Sequence, residues 1–425
     1  MKIKVIDKSF SDVTSIEKKR HRRPKKPNMF FRTLMKLVSI PDLKKTNFKS
    51  EKIGMEKLGR RESALYLMNH SSFIDLEIVA TMLYPRPFNI ITTTDAFIGK
   101  DWLLRKIGCI PTKKFVHDPS LIRDVIHAVK KLKSSVVLFP EAGYSFDGTS
   151  TTLPKNLGKF VKMLGIPLIM IQTYGAFLRD PLYNNIQVRD VDVSATVKYL
   201  LSAEEVKNMS EEEINEVIGK EFSFDNFKWQ QENKIKIDAP TRADYLHRVL
   251  YKCPVCKEEG KMLGKGTEIT CNVCGKVHIL NEYGALESPD GNPSFTHIPD
   301  WYRWERECVR KEILEGKYGF DVPVEILMTV DTKKLYRVGE GRLAHSTGGF
   351  HLTGCDGKLD YEHKPFTSHS VNSDFNWYEI GDIICVGNHE ALYYCFPKKD
   401  THLVAKARLA TEEIFKILTE EKRNK

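Results

Sequence analysis

The stretch Leu65-Tyr66-Leu67-Met68-Asn69-His70-Ser71-Ser72-Phe73-Ile74-Asp75 decides how the chain is read. Ala64 to Met68 is short and apolar, the pattern of a buried strand, and it stops at Asn69-His70. Ser71 and Ser72 are favourable helix N-caps, and Ile74-Asp75-Leu76-Glu77-Ile78-Val79-Ala80 starts a helix. His70 therefore falls at the carboxyl end of a strand, where α/β folds place their ligands. Asp75 comes in the first helical turn. Within one continuous helix, side chains five apart point roughly 140° away from each other. Because His70 precedes the caps, the chain can instead fold back and bring Asp75 to the imidazole. Such a pair is a general base: the carboxylate orients one ring nitrogen and the other takes a proton from a hydroxyl. Read alone, His70 is a strand-end histidine satisfied by backbone; the rest of the string changes that reading.

At 425 residues the chain exceeds one ordinary core, so two or three domains are expected. Its apolar and charged fractions are those of a globular protein. The net charge of +10 is unevenly spread. Residues 1–30 hold ten Lys and Arg (Lys2, Lys4, Lys8, Lys18, Lys19, Arg20, Arg22, Arg23, Lys25, Lys26) against Asp7, Asp12 and Glu17, which is +7. This predicts a basic arm rather than a basic protein. No apolar run is long enough to span a membrane, and the start lacks the apolar segment of a signal peptide. Nine cysteines, four of them in C-x-x-C pairs, suit a reducing compartment. Lys18 to Pro27 reads as too charged and too proline-broken to pack. Met29 to Val38 is amphipathic and flanked by Lys and Arg, which fits a helix lying on an anionic lipid surface. A nucleic-acid arm is the lesser reading, and no nucleic-acid partner is expected.

With Asn69, the opening block has the form N-H-x-x-x-x-D. It resembles the first motif of the glycerolipid (lysophosphatidic acid type) acyltransferase family. Gly108-Cys109-Ile110-Pro111-Thr112-Lys113-Lys114 resembles the second: a glycine, a hydrophobic strand, then a basic residue that holds the acceptor's phosphate. The family usually shows Arg there; Lys114 or Lys113 would substitute as a point charge. Phe139-Pro140-Glu141-Ala142-Gly143-Tyr144-Ser145 resembles the third, F-P-E-G-T-x-S. Here Ala142 replaces the glycine, Gly143 the threonine, and Tyr144 stands where many members carry Arg. Gly165 to Ile171 resembles the fourth, a strand with an early proline. The four blocks occur in the family's order within about 105 residues, and the likeness covers roughly residues 30–235.

The resemblance implies an α/β fold, a mixed sheet flanked by helices, with the blocks lining one cleft. It implies direct acyl transfer from acyl-CoA or acyl carrier protein to a hydroxyl of a lysophospholipid or glycerol-3-phosphate-like acceptor. His70 would be the base and Asp75 its orienting partner. Asn69, Lys113, Lys114, Glu141, Gly143 and Ser145 would form the substrate-binding set. Backbone N–H groups near the helix start would stabilise the oxyanion. No G-x-S-x-G motif competes. The rival reading is a binding or scaffold protein that keeps the fold without turnover, which the altered Glu141 block favours.

Beyond this core, Cys253-Pro254-Val255-Cys256 and Cys271-Asn272-Val273-Cys274 are two C-x-x-C knuckles. Four thiolates at this spacing suit tetrahedral zinc in a ribbon of short strands, a closed and structural site. His278 reads as an ordinary strand residue. Past Gly316, β-branched and aromatic runs alternate with turns up to Phe396, and a helix from Leu403 to Leu418 closes the chain. This predicts an antiparallel barrel or sandwich capped by a helix, and the pattern resembles a pleckstrin-homology-like domain. The expected division is a flexible arm (1–29), an acyltransferase domain (30–245), a zinc ribbon (246–285), a helical linker (286–321) and the β domain (322–425). The expected location is cytoplasmic, peripheral to the inner face of the membrane, with an anionic lipid surface as partner and acyl carrier protein as a further one.

Overall fold

The computed structural model describes residues 3–17 and 20–423; Lys2, Lys18 and Lys19 of the basic N-terminal stretch lie outside them. The central sheet has seven strands: β1 (Lys49–Ile53), β2 (Leu65–Met68), β3 (Phe88–Thr93), β4 (Cys109–Thr112), β5 (Ser135–Leu138), β6 (Leu168–Tyr174) and β7 (Ser194–Leu201). Their order is β1-β7-β6-β2-β5-β3-β4. Strands β6, β2, β5, β3 and β4 run parallel, whereas β7 is antiparallel to β6 and carries β1 alongside it. The sheet is therefore mixed, as expected from the resemblance.

Strand β2 sits at the middle and every residue of it is buried. A strand covered on both faces can be apolar throughout, which is why Leu65-Tyr66-Leu67-Met68 shows no alternation. Tyr66 and Met68 pack against the core beneath the helix Asp75–Leu83, and Leu65 and Leu67 against the other face. The run 202–219 forms two helices, Ala203–Asn208 and Glu211–Phe222, because Ser202 with Glu205 and Ser210 with Glu213 each close a capping box.

A four-stranded antiparallel ribbon comes next (Met262–Lys265, Glu268–Cys271, Val277–Leu280, Leu286–Glu287). It leans on the helix Ile298–Leu314: the Trp301 indole N–H donates to the Lys252 carbonyl at 3.0 Å, and Glu305 accepts from the Lys252 N–H at 2.8 Å. The C-terminal strands, from Phe320–Thr329 to Leu392–Pro397, form one antiparallel ladder. Its edge strands, Leu359–His363 and Asn372–Trp377, lie at opposite ends of the order. The helix Leu403–Arg423 buries Val404, Ala407 and Leu409 against this sheet and the linker helix.

The N-terminal segment corrects the expectation of a flexible arm. Val5–Asp7 adds a parallel strand to Leu335–Ser346 of the C-terminal sheet. Further on, Pro24 and Pro27 are buried while the lysines between them face solvent. The Lys25 carbonyl accepts from Asn89 at 2.9 Å, and His21 meets Asp124 at 3.0 Å. Proline lacks an N–H and prefers extended backbone, so this run packs as an extended strap in which only the charges stay wet.

Candidate active site

Strand β2 ends between β6 and β5, and Asn69 fixes the turn at its end. Its side-chain amide donates to Thr173 Oγ1 on β6 and to Ser71 Oγ, both at 2.9 Å, and its Oδ1 accepts from the Thr173 N–H at 2.9 Å. Asn69 is spent on protein groups and acts by position. The chain then turns back, so that Asp75 Oδ2 lies 3.0 Å from His70 Nδ1. The same oxygen accepts from the N–H groups of Ser71 at 3.0 Å and Ser72 at 3.2 Å. This corrects two expectations. The serines do not cap the helix, whose N-terminal cap position is Ile74; the helix's own first-turn carboxylate ties down the loop before it. The Ser71 and Ser72 N–H groups are thereby consumed and do not serve an oxyanion.

A carboxylate only accepts, so Nδ1 carries the proton and Nε2 has the free lone pair. Among the described residues no protein group hydrogen-bonds Nε2. The imidazole lies between Tyr144 (centroids 4.0 Å apart) and Phe139 (4.3 Å). Burial lowers the His70 pKa below its usual value, Asp75 pulls against that, and the Lys114 charge lowers it further. The ring is consequently neutral near pH 7, the state a base needs.

Glu141 sits just past β5, as His70 does past β2. Its Oε1 accepts from the His70 N–H at 3.4 Å and its Oε2 from the Thr151 N–H at 3.0 Å. It is 3% exposed, and burial raises its pKa to about 7 against those hydrogen bonds. Ser145 Oγ donates to the Thr149 carbonyl at 2.6 Å and accepts from the Gly148 N–H at 2.9 Å, which folds the loop after Glu141. Gly143 is buried, and a side chain there would approach the Arg408 guanidinium at 3.8 Å. Ala142 has φ +56°, the left-handed region that favours glycine, which is the residue the resemblance places there.

The two lysines divide. Lys113 Nζ donates to the carbonyls of His389 at 2.5 Å and Asn388 at 3.4 Å, in the turn between the strands Gly381–Gly387 and Leu392–Pro397. Lys114 is the one whose charge reaches His70, together with Asp374 of the C-terminal domain. That domain borders the cleft: Arg408 donates to the Tyr144 carbonyl at 3.1 Å, Phe375 packs on Phe146 at 4.4 Å, and the Trp377 N–H donates to Asp95 at 3.2 Å. Sequence reasoning missed Thr151, Thr173 and Arg408, and read Phe139 only as part of the third block. Tyr144 was noted only as the residue standing where many members of the family carry Arg.

Residues 49–172 match the Acyltransferase family model, and this span holds His70, Asp75, Lys114 and Glu141. Over this span the chain is similar to the Acyltransferase family. The chloroplastic 1-acyl-sn-glycerol-3-phosphate acyltransferase BAT2 of Brassica napus is 27% identical over 163 residues, 37% of this chain and 44% of that protein. The chain thus spans less than half the length of that curated relative. Among solved structures, the 1-acyl-sn-glycerophosphate (LPA) acyltransferase PlsC from Thermotoga maritima aligns over 44% of this chain and 77% of its own, with 14% identity and a TM-score of 0.35.

Outside residues 49–172, Cys253, Cys256, Cys271 and Cys274 bring their sulfurs within 4.8 Å of one another. The Cys253–Cys274 and Cys256–Cys271 pairs are each 3.6 Å apart. Four ligands at ~2.3 Å around a tetrahedral zinc stand roughly 3.8 Å apart, so the donor set fits the ion. His278 Nε2 accepts from the Ser294 N–H at 3.1 Å, and the ring packs on Trp301. It is a structural residue of the ribbon and stands apart from the thiolate set.

Proposed function

We propose that this chain is an O-acyltransferase that moves a fatty acyl group from acyl-CoA or acyl carrier protein to a lysophospholipid or glycerol-3-phosphate-like acceptor. The reading is carried by the His70–Asp75 pair, 3.0 Å apart, with Nε2 left to meet a substrate hydroxyl. His70 Nε2 takes the hydroxyl proton as the acceptor oxygen attacks the thioester carbonyl. The carbon–oxygen bond forms, the carbon–sulfur bond breaks, and the proton on Nε2 goes to the leaving thiolate. Asp75 holds the tautomer and steadies the imidazolium. Lys114 is the cation for the acceptor's phosphate or for the developing oxyanion. Glu141 orders the two strand ends, and zinc, when bound, supplies folding energy to the ribbon through its four cysteines.

The reading includes a membrane surface. On the helix Met29–Lys45, Phe30 (67% exposed), Leu34, Leu37 and Val38 form an outward stripe. Trp102, Leu103, Phe73 and Leu76 are also exposed, and Trp102 touches Phe31. Arg32, Lys36 and Lys106 accompany them, which suits anionic lipid. No helix among the described residues is long and apolar enough to cross a membrane. A peripheral enzyme on the cytoplasmic face is the corresponding proposal.

The second reading, a catalytically silent scaffold, draws on Tyr144 lying over His70. The deciding experiment is transfer from labelled acyl-CoA and acyl carrier protein to a panel of lysolipids on vesicles, wild type beside His70→Ala. Transfer by wild type alone supports the enzyme. No transfer by either, with both folded, supports the scaffold.

A further inference from the structure

A cavity of about 260 Å³ opens where the loop 146–152, the linker helix Ile298–Leu314 and the C-terminal helix Leu403–Arg423 meet. None of His70, Asp75, Lys114 or Glu141 lines it. Arg303, Arg306, Arg408 and Lys416 do, against the carboxylates of Asp147 and Glu412. Thr149 to Thr152 supply a hydroxyl-bearing wall. We propose that this cavity binds a phosphate-bearing anion at a site separate from the His70 cleft.

The carboxylates aim the cations without exhausting them. Arg306 meets Glu412 at 2.7 Å and Glu413 at 3.1 Å; Arg408 gives one N–H to the Tyr144 carbonyl and faces Glu412 at 3.5 Å. A guanidinium has five N–H donors in a rigid fork, so donors remain on each arginine. Forks already held by one partner lose little entropy on gripping a second, and a phosphate accepts them bidentately. Arg303 and Lys416, at the rim, are 63% and 37% exposed and pair with Asp300 and Glu413. Their guanidinium and ammonium charges draw an anion inward. The volume suits the phosphate end of a small polyol ester and excludes a whole diacyl lipid.

The cavity is tied to the cleft from two sides. Its wall residue Thr151 donates to Glu141, which accepts from the His70 N–H. Its wall residue Arg408 holds the Tyr144 carbonyl, and the Tyr144 ring lies on His70. A bound anion therefore steadies both segments that frame the base.

The anion can come from either of two sources, a soluble phosphate ester or a lipid head group, and the test separates them. In one arm the full chain is titrated calorimetrically with inorganic phosphate and sn-glycerol 3-phosphate. In the other it is sedimented with phosphatidylcholine vesicles with and without lysophosphatidic acid. The double variant Arg303→Gln/Lys416→Gln is compared with Lys358→Gln, which lies away from the cavity, after equal melting temperatures confirm folding. The expected result is saturable binding in at least one arm, weakened about tenfold or more by the double variant and unchanged in Lys358→Gln. Binding in the first arm assigns a soluble ester; binding in the second arm alone assigns a lipid head group. The proposal is overturned if neither arm saturates, or if the double variant binds as tightly as wild type. Acyl transfer is not the readout, so loss of the enzyme reading leaves this result interpretable.

Discussion

The ring of Tyr144 lies on the imidazole of His70, with centroids 4.0 Å apart and planes inclined by 28°. Phe139, at 4.3 Å, closes the opposite face. The ring proposed to take a proton is thus covered above and below, while its edge stays open. That burial is the largest cause of its lowered pKa.

The acid limb of the pH profile is set by this burial. A base works in its neutral form, so kcat/KM is full above the His70 pKa and falls as pH drops through it. Tyr144→Ala hydrates the ring and Lys114→Met removes a neighbouring cation; each favours the imidazolium and raises the pKa. In both variants the acid limb moves to higher pH, so activity at pH 6 falls relative to activity at pH 8. A limb that stays in place in both would show that another group titrates.

The His70–Asp75 pair predicts graded losses. His70→Ala removes the base, and transfer falls by about 10³-fold or more. Asp75→Asn leaves a carbonyl oxygen but places an amide N–H among donors, which turns the ring; the expected loss is about 10²-fold or more. Steady-state rates on vesicles, with melting curves to confirm folding, check both. Full activity in Asp75→Asn would remove it from the mechanism.

Ala142 sits at φ +56°, where a Cβ costs about 1 kcal/mol relative to glycine. Ala142→Gly is expected to gain roughly that much in urea unfolding, less the added chain entropy of glycine. A clear loss of stability would mean that the alanine methyl contributes packing here that outweighs the strain.

Chelation tests the ribbon. One zinc per chain is expected by elemental analysis, and its removal, or Cys256→Ser, should expose residues 253–280 to protease and lower Tm by about 5 °C or more. A metal-free chain with an intact ribbon would contradict the assignment.

The membrane face predicts that Phe30→Ser/Leu37→Ser/Val38→Ser weakens binding to anionic vesicles by about tenfold or more, because each side chain now exposed would otherwise bury apolar area in lipid. Sedimentation measures it. Unchanged partitioning would move the docking face elsewhere.

The sequence alone determined the parts that depend on neighbours in the chain. A four-residue buried strand leading into Asn69, His70 and Asp75 specifies a strand end, a turn and a helix start, because the periods and breakers are local. The cysteine knuckles were legible for the same reason: two short turns each preset a pair of thiolates, and only one fold-back is needed to join them. The groups lying across the site were not legible. Nothing local distinguishes Lys113 from Lys114; the fold decides, by turning Lys113 toward His389 and leaving Lys114 near enough for its charge to act on His70. Nothing near Arg408 announces that a C-terminal helix will hold the loop of Tyr144, or that basic Lys25 and Lys26 will ride on buried prolines. Those outcomes are set by long-range packing. Burial of the helix Leu403–Arg423 and the pairing of Val5–Asp7 with Leu335–Arg337 fix where distant charges fall, and no pattern within one segment encodes it.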